Sequence, residues 1–167
     1  LKEPWYEGDS INYGIGQGFV QLTPQQMAVV YAALAGGDLY RPYVVQEIRK
    51  NNGELLYEGK SLLSGKIPVS LANLKLIQAA LRDVVARGTG RRAEVEGMAA
   101  AGKTGTAQTP GLPHAWFVCY APFDQPKIAV AVFVAHGAAG DQVAAPIAHD
   151  ILVWYRDNRS AAPAAKL

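Results

Sequence analysis

Lys103-Thr104-Gly105-Thr106-Ala107 is the stretch that decides the fold, because two runs typical of β-strands follow it. The first is Ala115-Trp116-Phe117-Val118-Cys119-Tyr120, and the second is Lys127-Ile128-Ala129-Val130-Ala131-Val132-Phe133-Val134. Residues 121–126 between them contain two prolines and an aspartate, a composition typical of a turn. We therefore predict an antiparallel hairpin with residues 103–107 as a third strand beside it.

The same stretch also matches a phosphate-binding loop, G-x-x-x-x-G-K-T, through Gly97, Gly102, Lys103 and Thr104. Such a loop must leave a buried strand and enter a helix. Two prolines and two glycines within residues 105–113 exclude that helix, and the charged segment 91–96 is a poor buried strand. We therefore reject the nucleotide-binding interpretation in favour of the strand.

As a strand, residues 103–107 have a chemically useful edge. Alternation places Thr104 and Thr106 on one face, and Gly105 between them carries no side chain that would block close approach. Two hydroxyls beside a lysine form a site for a small carboxylate, and exposed strand N–H groups can pair with an extended peptide. A polar edge strand with a solvated lysine is the alternative that the motif alone leaves open.

The remaining pattern predicts three helices and a second hairpin. Thr23-Pro24-Gln25-Gln26 is a capping box that begins a helix, and Asn51-Asn52-Gly53 joins Tyr43 to Ile48 with Glu54 to Tyr57 in a hairpin. Ser70 caps a second helix that Gly88 ends, and a third runs roughly from Val143 to Arg156. The predicted inward residues are Met27, Val30, Tyr31 and Leu34, then Leu71, Leu74, Ile77, Leu81 and Val85, then Ile147, Ile151, Trp154 and Tyr155. The predicted class is α+β, an antiparallel sheet packed by helices.

The order of strand, hairpin and C-terminal helix, with Lys-Thr-Gly on the first strand, resembles the end of a penicillin-binding transpeptidase domain. Other segments resemble it too: Gly14-Ile15-Gly16-Gln17-Gly18 with the helix after it, Arg87-Gly88-Thr89-Gly90, and the Ala-Trp-Phe opening of the next strand. The resemblance covers about Asp9 to Tyr155. It is strongest to class B penicillin-binding proteins of the elongation type, penicillin-binding protein 2.

One family motif has no counterpart here. These enzymes share a nucleophilic Ser-x-x-Lys, a Ser-x-Asn and the Lys-Thr-Gly strand. None of the five serines, Ser10, Ser61, Ser64, Ser70 and Ser160, has a lysine three positions later. Ser10-Ile11-Asn12 fits Ser-x-Asn but adjoins the glycine loop, so we interpret Ser10 and Asn12 as loop and cap residues. The chain also begins without methionine, signal peptide or anchor, so we expect residues 1–157 to be the C-terminal part of one transpeptidase domain, followed by a disordered tail at 158–167.

The resemblance implies serine acyl transfer on peptidoglycan stem peptides that end in D-Ala-D-Ala, by a nucleophile outside this chain. It implies that Lys103 and Thr106 are catalytic, Lys103 through its charge and Thr106 through a backbone N–H in the oxyanion hole. Thr104, Gly105 and Thr106 would bind substrate, the hydroxyls holding the terminal carboxylate of the stem peptide or the carboxylate of a β-lactam. We expect the chain to be inactive alone.

The resemblance also implies partners and a location. The partners are the missing N-terminal half with the Ser-x-x-Lys and Ser-x-Asn motifs, stem peptides, β-lactams, a membrane glycan polymerase and cell-elongation scaffold proteins. The location is the extracytoplasmic side of the inner membrane of a bacterial envelope, with the anchor outside this chain. Two alternatives stay open: a β-lactam sensor or β-lactamase-like domain, and a non-catalytic structural partner fragment.

Composition excludes some other classes. The chain is 50% hydrophobic and 18% charged with a net charge of +2, so we expect no attraction to nucleic acid. Cys119 is the single cysteine, cannot form an internal disulfide and is predicted to lie in the core. His114, His136 and His149 lack ligand spacing, so we predict no metal and no cofactor. The longest apolar run, near residues 128–135, is much shorter than the roughly 20 residues of a membrane helix.

Overall fold

The computed structural model describes residues 4–159, which form helices and antiparallel strands. In chain order the elements are α1 (Glu7–Gly14), α2 (Pro24–Gly36), β1 (Asp38–Arg41), β2 (Glu47–Arg49), β3 (Leu55–Glu58), β4 (Leu62–Lys66), α3 (Leu71–Arg87), a 3-10 turn (Arg91–Ala93), β5 (Ala101–Ala107), β6 (His114–Ala121), β7 (Ile128–Val134), a π turn (Gly140–Ala144) and α4 (Ala145–Asn158). The predicted α+β class is confirmed. No helix within the described part of the chain is long and apolar enough to span a bilayer.

The central sheet has the order β5-β6-β7, and every pairing is antiparallel. Its register pairs Thr104 with Phe117, Gly105 with Trp116 and Thr106 with Ala115. The predicted third strand beside the hairpin is thus confirmed. Strand alternation puts Thr104 and Thr106 on one face, as predicted, and puts Gly105 on the other face with Trp116.

Helices cover both faces of this sheet. Phe117 and Cys119 of β6 pack with Leu152 of α4 in one apolar cluster, and all three are fully buried. On the opposite face, Val118 and Tyr120 pack with Tyr31 of α2 in a second cluster. Burying each large apolar side chain contributes about 1.5–3 kcal/mol, so the middle of β6 anchors the fold from both sides.

The predicted boundaries of α2 and α3 are confirmed, whereas α4 begins at Ala145, because Val143 lies in the π turn. The Gln26 N–H donates to Thr23 Oγ1 at 3.2 Å, and the Thr23 N–H donates to Gln26 Oε1 at 2.8 Å. The Asn73 N–H donates to Ser70 Oγ at 3.2 Å at the start of α3, which ends at Arg87 directly before Gly88. These local signals set both helices because each cap satisfies a backbone donor that has no partner within the helix.

The predicted apolar faces are partly wrong. In α4, small residues and one leucine are buried (Ala145, Ala148 and Leu152), whereas Ile147, Ile151 and Trp154 are exposed. Val30, Leu71 and Ile77 are also exposed. The physical reason in α4 is that alanines let the helix axis approach the sheet closely, while the larger residues form a second row at the same helical spacing.

Several smaller features differ from the sequence prediction. The hairpin over residues 47–58 is confirmed, but its first strand is only Glu47–Arg49. The pairing of β1 with β4 was not predicted. Ser10 and Asn12 lie in α1, so their assignment to a loop is wrong. α4 extends through Asn158, and residues 160–167 of the predicted tail lie outside the described part of the chain.

Candidate functional site

The outer edge of β5 carries the predicted site residues. Within residues 4–159 β5 pairs only with β6, so its other edge is free. The Lys103 ammonium donates to the carbonyl oxygen of Thr104 at 2.8 Å, and the Gln17 amide donates to the carbonyl oxygen of Thr106 at 3.4 Å. Alternate residues of an edge strand point their backbone groups outward, so Thr104 and Thr106 present main-chain groups at this edge, while their side chains share one face of the strand.

The Thr104 hydroxyl belongs to a small polar cluster. Its oxygen lies 2.9 Å from Thr89 Oγ1 and 3.4 Å from Lys103 Nζ. Thr89 stands between the end of α3 and the 3-10 turn, and sequence reasoning used it only as part of a resemblance. A threonine hydroxyl has one proton, and an ammonium only donates. The Thr104 proton is therefore available to a bound anion only when Thr89 donates to Thr104.

A cleft of about 610 Å³ opens beside this edge. Its walls come from β5, from the glycine loop, from α2 and from an aromatic group on β6 and β7. The residues that line it include Lys103, Thr104, Gly105, Thr106, Gln17, Tyr31, Trp116 and Phe133. The volume is typical of a small-molecule site, and the polar groups converge on one wall of a mainly apolar cleft.

Gly105 is constrained by its neighbours on both sides of the strand. A Cβ added to Gly105 would lie 3.1 Å from Trp116 Cβ, closer than side chains ordinarily pack. A Cβ added to Gly140 would overlap the carbonyl oxygens of Trp116 and Gly105. Gly105 therefore lies between the Trp116 side chain and the π turn. Besides the substrate access expected from the sequence, close packing against Trp116 therefore favours glycine at position 105.

Three side chains that could supply a nucleophile, those of Ser10, Ser70 and Cys119, are hydrogen-bonded or buried. Ser10 Oγ accepts a hydrogen bond from Trp5 Nε1 at 2.9 Å, and Ser70 Oγ caps α3. Burial raises the pKa of the Cys119 thiol to about 12, which suppresses the reactive thiolate at neutral pH. In the described part of the chain, no three His, Cys, Asp or Glu side chains are grouped to hold a metal ion.

The structure brings together the four predicted residues, Lys103, Thr104, Gly105 and Thr106, on one strand beside the cleft. It adds Gln17 and Thr89, whose contacts with this strand sequence reasoning missed. The sequence signal that could have pointed to Gln17 is its position between two glycines. In the structure these glycines have left-handed φ angles, 75° at Gly16 and 84° at Gly18. Such a loop can approach a strand edge closely.

The known proteins that this chain resembles point to one family. The chain matches the penicillin binding protein transpeptidase domain over residues 1–153. The peptidoglycan D,D-transpeptidase MrdA of Haemophilus influenzae is 34% identical over 95% of this chain and 27% of its own length. Stage V sporulation protein D of Bacillus subtilis is 40% identical over 82% of this chain and 23% of its own length. The chain therefore spans about a quarter of these relatives.

Solved structures agree with that result. Pseudomonas aeruginosa PBP2, in complex with WCK 5153, superposes with a TM-score of 0.78 at 34% identity, over 99% of this chain and 37% of that protein chain. Penicillin-binding protein A of Mycobacterium tuberculosis, as an imipenem acyl-enzyme complex, gives a TM-score of 0.76 at 31% identity, over 85% of this chain and 33% of the other. The predicted family resemblance, including the likeness to penicillin-binding protein 2, is confirmed.

Proposed function

Because the chain belongs to the penicillin-binding protein transpeptidase family, we propose that it supplies the carboxylate-binding edge of a peptidoglycan D,D-transpeptidase. The observation that carries this proposal is the arrangement on β5. Two threonines and a lysine lie on a strand with a free edge and line one cleft, with the Lys103 ammonium 3.4 Å from Thr104 Oγ1. A cation and hydroxyl donors beside free backbone N–H groups fit the end of a peptide that carries a terminal carboxylate.

In the proposed reaction a serine outside this chain attacks the carbonyl of the stem peptide. The serine oxygen bonds to the carbonyl carbon, the amide bond to the last D-alanine breaks, and a proton goes to the departing amine. An amine of a second stem peptide then bonds to the same carbonyl carbon, the ester bond to the serine breaks, and a proton of the amine returns to the serine oxygen. Lys103, Thr104 and the Thr106 hydroxyl hold the terminal carboxylate, and the Thr106 N–H donates to the oxygen that becomes negative. One such donor is worth about 10²- to 10³-fold in rate.

The same edge would hold a β-lactam. The acyl-enzyme complex of the Mycobacterium tuberculosis relative with imipenem shows that a protein of this fold is acylated by a β-lactam. We propose that the β-lactam carboxylate takes the place of the peptide carboxylate at Thr104 and Thr106. The absence of a side chain at Gly105 lets this part of the strand pack closely against Trp116.

We also propose the wider setting of the protein. The N-terminal part of the domain supplies Ser-x-x-Lys and Ser-x-Asn and closes the cleft. The protein acts on the extracytoplasmic side of the inner membrane, beside a glycan polymerase and cell-elongation scaffold proteins. The support for this setting is that relatives such as MrdA are named as peptidoglycan D,D-transpeptidases.

Labelling with a fluorescent penicillin tests the proposal in the full-length protein that contains this chain. We expect one stable label, mapped by peptide mass spectrometry to a serine outside residues 1–167. The control is the same protein first treated with unlabelled penicillin. A label on Ser10, or no label on folded protein, would contradict the proposal. A label that is rapidly hydrolysed would instead favour a β-lactamase.

A further inference from the structure

Two loops at one end of the central sheet are tied together by histidines. The first, residues 108–113, joins β5 to β6, and the second, residues 135–139, joins β7 to the π turn. The His136 N–H donates to His114 Nδ1 at 2.9 Å, and the Ala138 N–H donates to the carbonyl oxygen of Pro113 at 3.0 Å. His136 Nδ1 lies 3.0 Å from the carbonyl oxygen of Leu112. We call these three hydrogen bonds the histidine clasp.

The hydrogen-bond partners fix the roles of both rings. A carbonyl oxygen only accepts, so His136 carries its proton on Nδ1, whereas His114 Nδ1 accepts and carries none. The rings are 4.8 Å apart between centroids, and His114 is also in edge contact with Phe133 at 5.2 Å. His114 lines the candidate cleft beside Trp116 and Phe133. The clasp therefore begins at the wall of the site.

The second loop is strained where the clasp holds it. His136 has a φ of 54° and Ala138 a φ of 62°, both in the left-handed region, although neither is glycine. Such a conformation costs roughly 1–2 kcal/mol per residue. Strain of this kind persists only where surrounding contacts determine the backbone, and both residues donate their N–H groups to the clasp.

From the clasp, the second loop leads directly to β5, the strand that carries the candidate site (the site strand). A Cβ on Gly137 would lie 3.1 Å from Ala115 Cβ, and Gly140 packs against the carbonyl oxygens of Gly105 and Trp116. Ala115 and Trp116 are the strand partners of Thr106 and Gly105. The segment 136–140 thus crosses the start of β6 and supports the Gly105–Thr106 peptide from behind.

We propose that His114 is a positioning residue that fixes the Gly105–Thr106 peptide through the clasped segment 136–140. This inference rests on the proposed function, in which the Thr106 N–H stabilises a developing oxyanion. A donor that acts on charge formed in the transition state affects the acylation step more than ligand binding. Loss of the acceptor at His114 Nδ1 should therefore lower the acylation rate constant and leave the half-saturating penicillin concentration nearly unchanged.

Two substitutions in the full-length protein separate this role from simple packing. His114→Phe keeps a ring against Phe133 but has no acceptor for the His136 N–H. His114→Asn loses the ring but places an amide oxygen where Nδ1 stands. Labelling is followed with excess fluorescent penicillin, so the observed rate constant does not depend on how much protein is folded. Amide hydrogen exchange of peptides covering residues 104–113 and 134–140 reports the clasp without any reaction.

We expect His114→Phe to slow acylation roughly five- to tenfold, the effect of one hydrogen bond of about 1 kcal/mol or slightly more, and to speed exchange in both peptides. His114→Asn should recover most of both losses. Unchanged exchange in His114→Phe overturns the inference, as does faster exchange with a parental acylation rate, or an equal loss in both variants. A parent protein that takes no label overturns the proposed function itself, which is a different outcome from a labelled parent with an equally fast variant.

Discussion

Thr89 Oγ1 and Thr104 Oγ1 lie 2.9 Å apart, which joins the end of α3 to the site strand through two hydroxyls. Thr104 Oγ1 also faces the Lys103 ammonium at 3.4 Å, which can only donate. With Thr89 as donor, the single Thr104 proton is left for another acceptor. A Thr89 hydroxyl that donates therefore holds the Thr104 oxygen in place while leaving its proton for the proposed ligand carboxylate.

We expect Thr89→Val to slow acylation of the full-length protein by penicillin roughly fivefold, because one hydrogen bond to the Thr104 hydroxyl contributes about 1 kcal/mol. Thr89→Ser keeps the hydroxyl and serves as the matched control. The measurement is the second-order rate constant of fluorescent labelling. Equal rates for the valine and serine variants would show that Thr89 does not orient Thr104.

Replacing the charged and hydroxyl groups of the site strand should have larger effects. Hydrogen bonds to charged groups contribute about 1.5–3 kcal/mol, so we expect Lys103→Ala and Thr106→Val each to slow acylation by roughly 10- to 100-fold. Both side chains are exposed, and the midpoint of thermal unfolding should change little.

The control for these variants is Lys127→Ala, which removes another exposed lysine, at the turn before β7. It should keep the parental acylation rate and the parental unfolding midpoint. If Lys103→Ala or Thr106→Val were acylated as fast as the parent protein, the assignment of the site to β5 would be wrong.

How far the sequence predicted the site depends on how local each contact is. The placement of Lys103, Thr104 and Thr106 on one strand could be predicted because strand alternation and a short motif are properties of neighbouring residues. The contacts of Gln17 with Thr106, of Thr89 with Thr104 and of His136 with His114 join residues 89, 15 and 22 positions apart. Periodicity contains no information on which distant side chain reaches a strand edge, so these partners required the fold.

For the helices, the sequence predicted where α2 and α3 begin but not which side chains of α4 are buried. Caps at Thr23 and Ser70 predicted where α2 and α3 begin, because a cap is satisfied within four residues. In α4 two rows share helical spacing, one through Ala148 and one through Ile151. The larger residues suggested the wrong row, since the close approach of the helix to the sheet selects small side chains.

The burial of Cys119 predicts that its thiol is unreactive in the folded protein. Burial raises the pKa of its thiol to about 12, so at pH 7 to 9 almost no thiolate forms in the folded protein. We expect iodoacetamide to leave this cysteine unmodified at pH 8 until the domain is unfolded by guanidinium. Peptide mass spectrometry in the full-length protein measures the modified fraction, and rapid modification under native conditions would contradict the burial of β6.

A substitution at Gly140 tests whether the π turn packs against β5. A methyl group there would overlap the carbonyl oxygens of Trp116 and Gly105, whereas a methyl group at Gly111 would meet no atom within 4 Å. Overpacking of this kind costs about 1–3 kcal/mol and forces the backbone to shift, so Gly140→Ala should lower the midpoint of thermal unfolding of the full-length protein. Because the shift falls on the Gly105–Thr106 peptide, acylation of the molecules that remain folded should also slow.

Gly111→Ala is the matched control, with the same added methyl group in open space, and should preserve both quantities. Equal unfolding midpoints for the two variants would mean that the π turn does not support the site strand.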